Sequence, residues 1–132
     1  MELPLVLLVE DDEVVRRALT RALRAEGVEV HEAGSAQEAM VRVQADPYDA
    51  VVADYHLGEQ SGAWLLEQIE RLSPKTMRVL ITGDDQLAMA PLAQRGVFHA
   101  QLIKPFAVGA LVERLRVRAH KRQDTLRDIG EE

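Results

Sequence analysis

Four short apolar runs, each stopped by a polar residue, constrain the fold of this chain more than any other feature. Residues 5–9 run into Glu10 and Asp11, residues 50–53 into Asp54, residues 79–81 into Thr82, and residues 102–103 into Lys104. A short continuous apolar run suits a strand buried on both faces, the usual state in a parallel sheet covered by helices. Polar groups at the carboxyl ends of such strands share one edge, where open α/β sheets build their ligand sites. Three acids, a hydroxyl and a lysine converging there suit a divalent cation and a phosphoryl group.

The stretches between the runs change period. Val14, Val15, Ala18, Leu19, Ala22 and Leu23 recur at helical spacing over residues 13–25, and Gly27 supplies a stop. Residues 28–32 alternate as a second, less buried strand. Ser35 with Glu38 three residues on makes a capping box. The stripe Ala36, Ala39, Met40 and Val43 follows, and Pro47 ends that helix. Residues 49–54 read as a central strand, 56–62 as a loop, and 63–72 as a helix with Trp64, Leu65, Ile69 and Leu72 in the core. After Ser73-Pro74-Lys75, residues 78–82 form the fourth strand. Gly83-Asp84-Asp85 starts a helix that Gly96 closes, residues 100–103 form the fifth strand, and a last helix begins near Ala107. Pro91 falls inside the fourth helix, where it removes a hydrogen bond and clashes with the preceding turn. That helix therefore either starts late, with Pro91 in its first turn, or is short and irregular.

Strand–helix units repeated about five times with short connections predict an α/β fold: a doubly wound, five-stranded parallel sheet with about five flanking helices. At 132 residues the chain is one domain by size, here residues 1–120. Residues 121–132 are highly charged, with only Leu126 and Ile129 apolar, and read as a helix extension or a linker. Apolar and charged fractions of 47% and 29% place the chain among globular rather than disordered proteins. A formal charge of -6 argues against nucleic-acid binding, which needs a basic surface. The absence of cysteine excludes disulfides and thiolate zinc sites. The amino-terminal run lacks a basic flank and is too short to span a membrane, so a cytoplasmic protein is expected.

Glu10, Asp11 and Asp54 carry the chemistry. On adjacent strand ends their carboxylates meet within a few ångströms, and two like charges about 4 Å apart repel by about 4 kcal/mol at an effective dielectric of 20. A hard cation relieves such a cluster, and magnesium suits it because it takes a few carboxylates and leaves positions for water and phosphate oxygen. The blander reading is that each acid merely caps a following helix. Lys104, after a buried strand, needs a counter-charge, which the acids supply. A cis bond to Pro105 would turn it back toward them. Thr82 offers a hydroxyl to a phosphoryl oxygen, and Gly83 permits close backbone approach.

Taken in order, Leu7-Leu8-Val9-Glu10-Asp11-Asp12, Asp54 after the third strand, Thr82-Gly83 after the fourth and Lys104-Pro105-Phe106 after the fifth resemble the receiver domain of two-component response regulators. The resemblance covers the chain to about residue 120. It implies a flavodoxin-like sheet of order 2-1-3-4-5 and makes Asp54 the phosphoacceptor. It further implies that Glu10, Asp11, Asp54 and the backbone carbonyl of His56 bind Mg2+, while Thr82 and Lys104 contact the phosphoryl group. The donor would be a sensor histidine kinase or a histidine phosphotransfer protein. The output would be a downstream domain or protein, or a homodimer formed through the fourth and fifth helices. Such a domain is a signalling switch rather than a conventional enzyme, although it promotes its own phosphotransfer and dephosphorylation.

The chain departs from that pattern in three places. Gln101 stands where the family usually has an aromatic residue, Gly58 stands where the loop usually has proline, and Pro91 interrupts the fourth helix. Gln101 keeps open an alternative: a receiver-like interaction module that works without phosphorylation. His56 also has two readings, a side chain that tunes hydrolysis or an exposed loop imidazole. His31, His99 and His120 have no metal-ligand spacing. A haloacid-dehalogenase phosphatase would need a second Asp where His56 stands. A nucleotide site would need glycines where Glu10-Asp11-Asp12-Glu13 stands.

Overall fold

Strands and helices alternate as the two periods require. The computed structural model describes residues 4–83 and 91–116. In chain order the elements are β1 (Leu5–Val9), α1 (Glu13–Ala25), β2 (Glu29–Ala33), α2 (Ala36–Ala45) and β3 (Ala50–Asp54). A two-residue ladder of β4 (His56–Leu57) with β5 (Gln60–Ser61) leads into α3 (Gly62–Leu72) and β6 (Met77–Thr82). Helical residues 91–94 (α4), β7 (Ala100–Ile103) and helical residues 108–116 (α5) complete the described chain.

The main sheet runs β2-β1-β3-β6-β7, all parallel, which is the expected order 2-1-3-4-5 when β6 and β7 are counted as its fourth and fifth strands. Successive residues of a strand face opposite sides, so each buried run feeds two cores. Leu7 and Val9 join Val51, Ala53 and Leu80 beneath α2 and α3, with Ala39, Leu65, Leu66 and Ile69 closing that layer. Val6 and Leu8 join Val30, Val52, Val79 and Ile81 on the other side, closed by Leu23 of α1 and by Leu111, Val112 and Leu115 of α5. Helices on both faces leave the carboxyl edge of the sheet open.

Local signals set the helix starts. Asp12 caps α1, its Oδ1 accepting from the Val14 and Val15 N–H groups at 3.0 and 3.2 Å. Ser35 Oγ accepts from Glu38 N–H at 3.0 Å as the capping box requires, while Glu38 reaches back to Gly34 N–H at 2.9 Å, one residue before the cap. Gly27, at φ 86°, takes the left-handed turn after α1.

The structure corrects several expectations. Only part of the apolar stripe of α1 is core: Leu23 is buried and Leu19 packs against the core, but Val14 is 78% and Val15 41% exposed, and Thr20 is the other buried residue of that helix. The helix is rolled so that Arg16, Thr20 and Leu23 face the sheet. Val14, Val15, Ala18, Leu19 and Ala22 line an open groove of about 550 Å³ with Pro105, Phe106 and Val108. Leu72, expected inside, is 52% exposed at the end of α3, and Trp64 packs only at the rim of the core. Residues 56–62 are not a plain loop but the β4–β5 ladder and the first residue of α3. The α2 helix ends at Ala45 with Asp46 as its cap, before Pro47. The start of the fourth helix at residues 83–85 and the charged segment 121–132 lie outside the described residues, apart from Gly83.

Arg78 is an internal tie that the pattern did not reveal. It is buried at the amino end of β6, and its guanidinium donates to the carbonyls of Val97 (2.8 Å), Pro74 (3.0 Å), Thr76 (3.1 Å) and Gly96 (3.1 Å). Its backbone N–H donates to His99 Nδ1 at 3.0 Å, so that ring nitrogen carries no proton. One side chain thus joins the loops before β6 and before β7.

Candidate functional site

Parallel register brings the strand-end residues together. Val9 lies opposite Ala53, and Asp54 lies opposite Ile81, so Glu10, Asp54 and Thr82 follow one another along the edge. One carboxylate oxygen from each of Glu10, Asp11 and Asp54 falls within a single 4.8 Å cluster. Glu10 and Asp54 are each 6% exposed, while Asp11 faces solvent. Lys104 Nζ stands 3.1 Å from Asp54 Oδ1. The Lys104–Pro105 peptide is cis. The Lys104 side chain is 40% exposed against 8% for its partner, so it meets Asp54 from the rim. Its own N–H donates to Thr82 O at 2.9 Å, joining the ends of β6 and β7. Thr82 is buried at 1% exposure.

The electrostatics follow from that packing. Burial, the nearby Asp54 charge and Asp11 push the Glu10 carboxyl up from 4.5 to about 7, against the opposing pull of Lys104 and a hydrogen bond from the Asp12 backbone. Two shielded carboxylates and one exposed one, with a single lysine among them, form an oxygen donor set that fits a hard divalent cation.

Sequence reasoning missed Gly62 and Arg16, which build this corner together with Gly58. Gly62 opens α3 directly against the backbone at the end of β3: a Cβ there would collide with the Asp54 carbonyl, and its N–H donates to Tyr55 O at 2.7 Å. Gly58 at φ 80° turns the β4–β5 ladder. Arg16 binds the Glu10 carbonyl at 2.9 Å. His56 is exposed, and its ring meets Tyr55 edge-on with centroids 5.0 Å apart. Gln101 lies opposite Leu80 in the β6–β7 register, and its Nε2 is buried without a hydrogen-bond partner.

This arrangement matches one family along most of the chain: residues 6–116 fit the response regulator receiver domain. The chain belongs to the receiver-domain family of response regulators. Nodulation protein W of Bradyrhizobium diazoefficiens is 35% identical over 133 residues, which cover 96% of this chain and 57% of that protein. The chain spans 26%, 11% and 57% of the lengths of three curated relatives it matches. A CheY-like receiver domain from Methanospirillum hungatei superimposes with a TM-score of 0.85 at 23% identity, covering 94% of this chain and 99% of that one. The regulator TrrA of Thermotoga maritima, solved in complex with Mg2+ and a beryllium fluoride, superimposes at 0.79 and 22% identity, covering 88% and 99%. At those identities the structural likeness speaks to the fold. This receiver domain has no helix among its described residues long and apolar enough to cross a membrane.

Proposed function

We propose that this receiver domain is a phosphorylation switch whose acceptor is Asp54, loaded by a phosphohistidine on a sensor kinase or a phosphotransfer protein. The observation that carries the reading is the Asp54 carboxylate at the end of β3, within the acid cluster and 3.1 Å from Lys104 Nζ. A carboxylate oxygen of Asp54 attacks phosphorus and forms the P–O bond as the P–N bond breaks; the P–N electron pair stays on the donor nitrogen, and the imidazole, already protonated on its other ring nitrogen, leaves as the neutral ring. Phosphoryl transfer depends on placement and on neutralising charge. Lys104 follows the oxygens of the transferred group from the rim, and the buried Thr82 hydroxyl lies next along the edge to hydrogen-bond one of them. Glu10, Asp11, Asp54 and the His56 carbonyl would hold Mg2+. When bound, that ion neutralises charge on the acids and on the incoming phosphoryl oxygens. Gly62 keeps the acceptor backbone in place.

The modification adds roughly -1.5 to -2 charges. Thr82 and Lys104 turning toward it would pull on β6 and β7, which their backbones join, and bias the surface built from α4, β7 and α5. The output is a further domain or a partner protein. Incubating the full chain with a small phosphodonor and MgCl2 should add one base-labile phosphoryl group by intact mass. A chelator should suppress the modification and Asp54→Asn should abolish it. A chain that stays unmodified with both a small donor and a cognate kinase would replace the switch by an interaction module that needs no phosphate, the reading that Gln101 favours. Unchanged stoichiometry in Asp54→Asn would move the acceptor elsewhere.

A further inference from the structure

Two adjacent arginines on α1 have opposite fates. Arg17 makes an ordinary surface pair with Glu13, at 3.0 Å with both side chains 64% exposed. Arg16 faces the sheet with its side chain 17% exposed. Its Nε meets Glu32 Oε1 at 3.0 Å, and its Nη1 donates to the Glu10 backbone carbonyl at 2.9 Å. That carbonyl belongs to the peptide joining Glu10 to Asp11. On the other side of Glu10, its N–H donates to Ala33 O at 3.1 Å. Glu10 is therefore held to the end of β2 from both sides, by a backbone bond through Ala33 and by a side-chain relay through Arg16 and Glu32.

We infer that Arg16 is the positioning residue of the cation site: it sets where the Glu10 and Asp11 carboxylates stand, and so tunes cation affinity without touching the cation. The inference rests on the reading of Glu10, Asp11 and Asp54 as cation ligands. Rotating the Glu10–Asp11 peptide would swing both side chains relative to Asp54, and a guanidinium fork bridging two acceptors prevents that rotation. Gly34 leaves the guanidinium its space, since a Cβ there would stand 3.2 Å from Nη1. Asp12 has a different task, because its side chain caps α1. Glu32 neutralises the arginine, so the relay orients the acids while adding little net charge to them.

The sign of the effect separates positioning from charge. Removing a cation near a carboxylate cluster strengthens cation binding by Coulomb attraction alone, whereas releasing the peptide weakens it. Partners that orient metal ligands typically change affinity by about 10–100-fold when lost. The test is a Mg2+ titration of the full chain, followed through the backbone amide shifts of Asp11 and Asp54, with thermal midpoints recorded for each variant. Arg16→Met is expected to weaken Mg2+ binding by about tenfold, Arg17→Met to leave it within twofold or tighten it, and Glu32→Gln to weaken it less than Arg16→Met. The double variant Arg16→Met/Glu32→Gln should be no weaker than Arg16→Met, because both act on one relay. Arg16→Lys keeps the charge and loses the fork, so it should restore affinity only in part. It decides the question if Arg16→Met does not fold. Affinity equal to or tighter than wild type in Arg16→Met, or full restoration by Arg16→Lys, overturns the inference. A wild-type chain that binds no Mg2+ overturns the ligand reading itself and this inference with it.

Discussion

Glu10 is the residue at which the demands of folding and of the site conflict most directly. Burial beside Asp54 raises its carboxyl to about 7, so the folded chain holds that proton more tightly than the unfolded chain does. Stability from this group is complete below about 4.5, its ordinary value, and is lost as pH rises through about 7. In cation-free buffer the thermal midpoint should therefore fall between about pH 5 and about pH 8. Glu10→Gln should flatten that fall, and saturating Mg2+ should raise the wild-type midpoint most at the alkaline end. A midpoint that climbs over the same range would contradict the buried-acid account. Lys104 presents the complementary case. At 40% exposure its pairing with Asp54 contributes little to stability, so Lys104→Ala should leave the fold and the cation site largely intact. Its loss should appear in how far phosphorylation alters the surface of α4, β7 and α5.

The elements show why some of this was legible and some was not. The central strands β1, β3 and β6 were legible because they are almost wholly buried runs, and with the half-buried β7 their polar ends named Glu10, Asp11, Asp54, Thr82 and Lys104 without any tertiary information. The α1 helix was legible as a helix but not in its orientation. Helical spacing places Val14, Val15 and Ala18 on one stripe, yet it does not reveal that Arg16 finds Glu32 and the Glu10 carbonyl on the sheet side. Arg78 was hidden for the same reason, since its four carbonyl partners come from two loops that only folding brings together. Gly62 was read as loop punctuation, whereas its lack of a side chain lets α3 start against Asp54. Because the obstacle is backbone, Gly62→Ala should destabilise the chain by about 3 kcal/mol or more in urea unfolding. It should also slow modification of Asp54, whose carbonyl would have to move. A loss under about 0.5 kcal/mol would mean that the corner is looser than this packing implies.

At the scale of the whole molecule, the fold separates rigidity from chemistry. Two apolar layers hold the sheet, and the open carboxyl edge carries nearly every group with a task. Cation binding at that edge should stabilise the entire domain through linkage, by about 2.7 kcal/mol at a hundredfold excess over the dissociation constant. One departure lies in the last strand of the sheet, where Gln101 keeps its amide nitrogen buried without a partner. The route from site to surface there was not readable from motifs, because it depends on which side chains share a face. The central claim concerns one atom group, the Asp54 carboxylate, and borohydride reduction tests it most directly. Reduction of an aspartyl phosphate leaves homoserine, which peptide mass spectrometry locates. The account predicts homoserine at position 54 after treatment with phosphodonor and Mg2+, and nowhere else. Homoserine at position 11 or 12, or its absence from a chain that has taken up phosphate, would contradict it.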